Sequence, residues 1–145
     1  MFVQHDFTPS ALGKRSASLK IVDDAGGSPQ TIKVSGAGTY VTVAPSPLDF
    51  GGVAVGDTKS LTVTLTNHNP SATVSVSAVA ISGTDKKDFT ATPAPECASV
   101  PGNGGTCDIT VKFKPTATGP RSGILSVKDD DAGSPQTDSL TGTGQ

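Results

Sequence analysis

Apolar and polar residues alternate over short stretches of this chain, which is the pattern of strands with one buried face. The clearest examples are Leu61–Leu65 and Ile109–Phe113. Glycine and proline, at 17 and 11 residues, are spread along the 145-residue chain and interrupt every candidate helical period. The pattern therefore predicts an all-β protein made of short strands joined by turns.

Between residues 41 and 145 we predict roughly seven antiparallel strands, separated by turn signals at the spacing typical of a sandwich. Val41–Val43 and Leu48–Phe50 are predicted to form one leading edge strand, which Pro45 and Pro47 interrupt. The next strands are predicted at Leu61–Leu65, Val74–Ile81, Ile109–Phe113, Ile124–Val127 and Asp138–Thr141, with a short irregular segment from Phe89. The expected fold class is an immunoglobulin-like antiparallel β-sandwich.

The first third of the chain repeats the last third. Phe7–Thr39 aligns with Phe113–Gln145 at an offset of 106 residues without a gap, and 16 of 33 positions are identical. A period of that length is typical of one immunoglobulin-sized sandwich. We therefore predict that residues 1–40 are the C-terminal fragment of a preceding repeat, and that residues 41–145 are one complete repeat.

The chain begins inside a predicted strand, because Met1–Phe7 aligns with Cys107–Phe113. Such a boundary is typical of an internal start codon or a random gene fragment. Residues 1–40 contain three predicted strands (Phe2–Phe7, Ser16–Val22 and Thr31–Gly38), which alone would leave an apolar face and open edges. We therefore expect a homodimer through residues 1–40, formed by face-to-face packing or by strand exchange with another chain's intact repeat.

Several short motifs within residues 41–145 resemble one family of immunoglobulin-like repeats. They are Leu48-Asp49-Phe50-Gly51, Val55-Gly56, Leu65-Thr66-Asn67, Ile81-Ser82-Gly83, Phe89, the Cys97 and Cys107 pair, Phe113 with Pro115, Gly119, and Gly142-Thr143-Gly144. The stretch resembles a choice-of-anchor D repeat, of the Hydin/ASPM-type domains found in large bacterial surface or secreted proteins. The resemblance implies the sandwich fold and a structural or ligand-displaying role, and it says little about activity.

Cys97 and Cys107 flank a glycine-rich loop. In an all-β domain of the surface type, this arrangement indicates a disulfide, which would stabilise the fold by roughly 3 kcal/mol under oxidising conditions. A metal site shared with histidine is the alternative, although neither histidine neighbours the pair. A disulfide implies a secreted or cell-surface parent protein. The chain itself shows no signal peptide, so we expect it to stay in the cytoplasm of an expressing host.

The charge pattern and the absence of known motifs argue against several classes of function. The net charge is -2 and both signs are interspersed, so we expect no nucleic-acid partner. No apolar run reaches the roughly 18 residues that a membrane span needs, so we expect no membrane insertion. Neither a Gly-x-Ser-x-Gly motif nor a phosphate-binding loop is present. The leading prediction is a non-enzymatic structural or interaction module of a bacterial surface or secreted repeat protein.

His5 and Asp6 are the basis of an enzymatic alternative. His5 aligns with Val111, whose position should be buried, and Asp6 aligns with Lys112. Such an imidazole could be a core group with satisfied hydrogen bonds, or could be tolerated because the fragment no longer forms its old core. The third alternative is a ligand for a divalent zinc-like or manganese-like ion. At a homodimer interface, His5 from each copy would bind the metal and Asp6 would act as ligand or base. The alternative function is then a metal-dependent, phosphodiesterase-type hydrolase.

Two acidic turns, Asp23–Asp24 and Asp129–Asp131, give a third hypothesis, a Ca²⁺-stabilised adhesive tip. The EF-hand spacing is absent, so a solvated turn whose side chains bind their own backbone is the competing interpretation. His68 lies in a predicted turn and is expected to be exposed. Arg15 and Arg121 are equivalent in the repeat, which indicates a shared structural role.

Overall fold

The computed structural model describes residues 12–24 and 26–145. The predicted strand Phe2–Phe7, with His5 and Asp6, lies outside the described residues. Within the described ranges the chain forms ten strands: β1 Gly13–Ile21, β2 Gln30–Gly38, β3 Val41–Ala44, β4 Leu48–Val53, β5 Lys59–Asn67, β6 Val76–Ser82, β7 Phe89–Pro93, β8 Gly105–Phe113, β9 Gly119–Asp129 and β10 Gln136–Gly144. Two short 3-10 helices, Lys86–Asp88 and Pro95–Ala98, flank β7.

Strands β3 to β10 form a β-sandwich, which confirms the predicted fold class. One sheet has the order β4-β10-β9-β6 and the other has the order β3-β5-β8-β7. Neighbouring strands are antiparallel except β4 and β10, which run parallel with Leu48 opposite Leu140. Within residues 12–24 and 26–145, no helix is long and apolar enough to cross a membrane.

The prediction of a single leading strand was wrong. Val41–Ala44 pairs with β5 in one sheet, whereas Leu48–Val53 pairs with β10 in the other. Pro45 and Pro47 lie between the two strands, where the chain crosses from sheet to sheet. Proline has no N–H group to donate to a ladder, so it suits this crossing rather than a continuous strand.

The segment from Phe89 was also predicted incorrectly as irregular. Phe89–Pro93 is a regular strand, β7, which pairs with β8 over five positions from Phe89 opposite Phe113. The preceding strand begins later than expected, because Val74 forms only an isolated bridge with Val100 and β6 starts at Val76.

Three phenylalanines fill the centre of the sandwich. Phe113 stacks on Phe89 with ring centroids 4.8 Å apart, and Phe50 packs against both rings at 5.4 and 5.9 Å. Burial of each ring stabilises the fold by about 1.5–3 kcal/mol. A Cβ atom at Gly142 would lie 2.6 Å from the ring of Phe113, so β10 can lie this close to Phe113 of the opposite sheet only because it carries glycine there.

Strands β1 and β2 form a separate two-stranded sheet, called here the N-terminal hairpin. Their pairing runs from Gly13 opposite Gly38 to Ile21 opposite Gln30. Adding 106 to each of these numbers gives the pairing of β9 with β10 at all nine positions. The sequence repeat is therefore also a repeat of strand register.

The turns of the two hairpins use the same hydrogen bond. The backbone N–H of Asp23 donates to Oγ of Ser28 at 3.0 Å, and the N–H of Asp129 donates to Oγ of Ser134 at 2.9 Å. Equivalent serines therefore close equivalent turns.

Candidate interaction surface

The N-terminal hairpin has one apolar face and one polar face. Residues equivalent to the core positions of β9 and β10 define its inner face: Ala17, Leu19, Ile21, Ile32 and Val34. Its outer face carries hydroxyl and amino groups: Lys14, Ser16, Ser18, Lys20, Thr31, Lys33 and Ser35. Because strand side chains alternate between faces, this pattern is that of a sheet with one side covered.

The inner face of the hairpin is exposed, although the equivalent face of the sandwich is buried. Ile21, Ile32 and Val34 are 42%, 49% and 42% exposed. Their equivalents Val127, Asp138 and Leu140 are 0%, 3% and 0% exposed. Contiguous exposed apolar side chains mark interaction surfaces. The inner face is therefore the candidate functional site.

The hairpin also has free strand edges. Over the described ranges, β1 and β2 pair only with each other, whereas β6 flanks β9 and β4 flanks β10 in the sandwich. Unpaired backbone groups at such edges are open to strand addition. Both the face and the edges thus lack the cover that residues 41–145 give to the equivalent strands.

Arg121 of the sandwich, which is equivalent to Arg15 of the N-terminal hairpin, forms two ion pairs. Its Nη1 lies 2.8 Å from Oδ1 of Asp85, and its Nε lies 3.4 Å from Oδ2 of Asp88. Asp88 is buried and also accepts a 2.7 Å hydrogen bond from the hydroxyl of Thr116. The N–H of Ser122 and the Arg121 guanidinium lower the pKa of Asp85. Arg15, the equivalent of Arg121, makes no ion pair with the described residues.

The predicted disulfide is confirmed, because Cys97 and Cys107 are bonded to each other with Cα atoms 5.1 Å apart. It links the 3-10 helix Pro95–Ala98 to β8. Asn67 supports the adjoining loop from the core, as its buried amide donates to the carbonyls of Ala72 and Val100 at 2.9 and 3.1 Å. No periodic pattern predicts this role of Asn67, whose signal in the sequence is its place in the Leu65-Thr66-Asn67 motif.

The carboxylates of the acidic turn Asp129–Asp131 accept hydrogen bonds from backbone N–H groups of the protein itself. Oδ1 of Asp129 accepts the N–H of Asp131 at 3.0 Å, and Oδ1 of Asp130 accepts the N–H of Ser75 at 2.9 Å. Burial raises the pKa of Asp129, whose second oxygen has no partner among the described atoms. The described ranges contain no group of three or more His, Cys, Asp or Glu side chains placed to hold a metal ion.

Asp131 instead holds the segment that joins the hairpin to the sandwich. Its Oδ2 accepts hydrogen bonds from the hydroxyl of Thr39 and from the N–H of Tyr40. Gln136 donates to the same Thr39 hydroxyl at 3.2 Å. The linker is therefore fixed to the β9–β10 turn.

The predicted catalytic and metal-binding residues His5 and Asp6 lie outside the described residues. His68 is exposed, as expected, and its Nε2 lies 3.0 Å from the hydroxyl of Thr42.

The model of one sequence family matches residues 40–137, and its description is ASH, Abnormal spindle-like microcephaly-assoc'd, ASPM-SPD-2-Hydin. The match covers β3 to β9 and the first two residues of β10, and it leaves out the N-terminal hairpin. No curated protein sequence matches the chain.

Solved structures of low sequence identity share the fold. The ASH/PapD-like domain 7 of human CEP192 has a TM-score of 0.52 at 17% identity, over 74% of this chain and 86% of that chain. The protease VesB of Vibrio cholerae has a TM-score of 0.56 at 14% identity, over 72% of this chain and 32% of that one. The secreted serine protease VesC of the same organism has values of 0.53 and 17%, over 72% and 23%. The likeness to the proteases covers a minor part of each.

Proposed function

Since this chain belongs to the ASH (ASPM-SPD-2-Hydin) family, we propose that it is a non-catalytic repeat module, of the choice-of-anchor D kind, from a bacterial surface or secreted protein. It acts as a spacer in an array of sandwiches, and the inner face of its N-terminal hairpin packs on another β-sheet. Function in such a protein depends on the repeated fold and its contacts rather than on a reactive site.

The shared register of the two hairpins carries this proposal. All nine strand pairs of β1–β2 recur in β9–β10 at one offset, so the chain holds parts of two copies of one unit. The N-terminal hairpin is then the last two strands of a neighbouring repeat. Its anchored linker at Thr39 and Tyr40 is the joint between repeats, which suits a spacer of defined geometry.

Two observations support an exported parent protein. The bond between Cys97 and Cys107 belongs to the class that persists in oxidising compartments. The same fold also occurs in VesC, which is described as a secreted protease. In an array outside the cell, the disulfide would hold the loop between the 3-10 helix and β8 in place.

Metal analysis of the purified chain, together with esterase and phosphodiesterase assays with and without EDTA, tests the non-catalytic function. We expect no stoichiometric divalent metal and no turnover above the buffer control. Metal-dependent hydrolysis that is lost in His5→Ala and retained in His68→Ala would contradict the proposal and favour the enzymatic alternative.

A further inference from the structure

The composition of the inner face shows what kind of surface covers it. Leu19 lies opposite Ile32 and Ala17 lies opposite Val34, so the centre of the face is wholly apolar. In β10 the position of Ile32 is held by a carboxylate, Asp138. The hairpin is thus more apolar on this face than the covered copy in the sandwich. A face of this kind is satisfied by another apolar sheet.

The two ends of the hairpin carry opposite charges. Arg15 projects from the inner face near the open end, and Asp23 and Asp24 lie at the turn. Leu19 is four residues from Arg15, on the same face of β1, and four from Asp23, which lies two residues beyond the end of β1. A two-fold axis through the Leu19 position therefore brings Arg15 of one copy to the acidic turn of another. Packing with the equivalent strands of the two copies parallel would instead place like charges next to each other.

We propose that two copies of this chain pack inner face to inner face through the N-terminal hairpin, antiparallel, with the axis at Leu19 and Ile32. The resulting homodimer is a two-layered, four-stranded unit with the apolar side chains inside and the lysines outside. This inference rests on the proposed repeat identity of the hairpin. Two strands from each copy make a small interface, so we expect a dissociation constant in roughly the micromolar range.

The molecular mass of the full chain in solution, measured by light scattering from low to high micromolar concentration, tests the dimer. We expect the mass to rise towards twice that of the chain. Ile32→Asp should raise the dissociation constant at least about tenfold, because the dimer would bury an unpaired carboxylate. Thr31→Asp, a matched change on the outer face, should leave it unchanged. A monomeric wild type at high micromolar concentration, or a dimer unaffected by Ile32→Asp, would overturn the proposal.

Cross-linking tests the arrangement. We expect a short bifunctional maleimide to join Leu19→Cys to its own copy and to leave Ser18→Cys, on the outer face, unlinked. Arg15→Glu should weaken the dimer, and adding Asp23→Arg should restore part of the affinity.

A dimer that is lost in Ile32→Asp but does not cross-link through Leu19→Cys would overturn face-to-face packing in favour of strand exchange. The hydrolysis assays measure a separate property. A monomer without activity would therefore refute the dimer alone, and an active dimer would refute the proposed function alone.

Discussion

Ile32 and Asp138 occupy equivalent positions in the two hairpins, yet Ile32 is 49% exposed and Asp138 is 3% exposed. The first lies opposite Leu19 and the second opposite Leu125. Both carboxylate oxygens of Asp138 are buried without a hydrogen-bond partner among the described atoms. The exposed copy of this position thus holds the apolar residue, and the buried copy holds the polar one.

Replacing Asp138 by isoleucine, the residue of the other copy, should stabilise the sandwich. The change removes a buried and unpartnered carboxylate, so we expect the free energy of unfolding in urea to rise by about 1–3 kcal/mol. Ser139→Ile, one position along on the exposed face, should change it by less than about 0.5 kcal/mol. A lower stability for Asp138→Ile would show that the carboxylate is satisfied in solution.

Arg121→Ala should destabilise the sandwich by about 3 kcal/mol, because it leaves the buried Asp88 without its cation. Arg15→Ala is the matched control from the other copy. It should change the free energy of unfolding by less than about 0.5 kcal/mol, measured at a concentration where the chain is monomeric. Equal effects of the two substitutions in urea denaturation would refute a special role for the Asp85–Arg121–Asp88 network.

Removing the disulfide by the double substitution Cys97→Ser and Cys107→Ser should lower the free energy of unfolding by about 3 kcal/mol, mainly by freeing the unfolded chain. Reduction of the wild type should have the same effect. In the air-oxidised native protein we expect thiol reagents to label neither cysteine. Full labelling of both would contradict the bond.

The buried carboxylate of Asp129 predicts a dependence of stability on pH. Burial raises its pKa above the ordinary value of 3.8, while the hydrogen bond from the N–H of Asp131 acts in the opposite direction. The folded state therefore binds the proton on Asp129 more tightly than the unfolded chain does. The stability that this gives is full at a pH below the unfolded pKa and is lost as the pH rises through the folded pKa. Asp129→Asn should raise Tm at pH 7, and the gain should disappear in acid. A gain that is the same at both pH values would contradict this origin.

Alternation and the internal repeat were enough to predict the sandwich and both copies of the hairpin. The change of sheet at Pro45 and Pro47 was not predictable, because apolar residues keep the same spacing on either side of it. The contact of Asp88 with Arg121 joins distant positions that no local period relates. Burial of Asp138 did leave a signal, since the repeat aligns it with Ile32, but a carboxylate in an alternating pattern gave no reason to expect a core position.

Completing the first repeat is the most direct test that the N-terminal hairpin belongs to a second copy of the sandwich. A fusion that places a second copy of residues 41–106 ahead of Met1, with Met1→Cys, adds strands equivalent to β3–β7 and gives the added copy of Cys97 a partner. We expect peptide mapping to find a bond between these two cysteines. Phe2→Cys in place of Met1→Cys, equivalent to the exposed Asp108, should leave the thiol free. A free thiol at position 1, under conditions where Cys97 and Cys107 of the complete repeat are bonded, would contradict the claim.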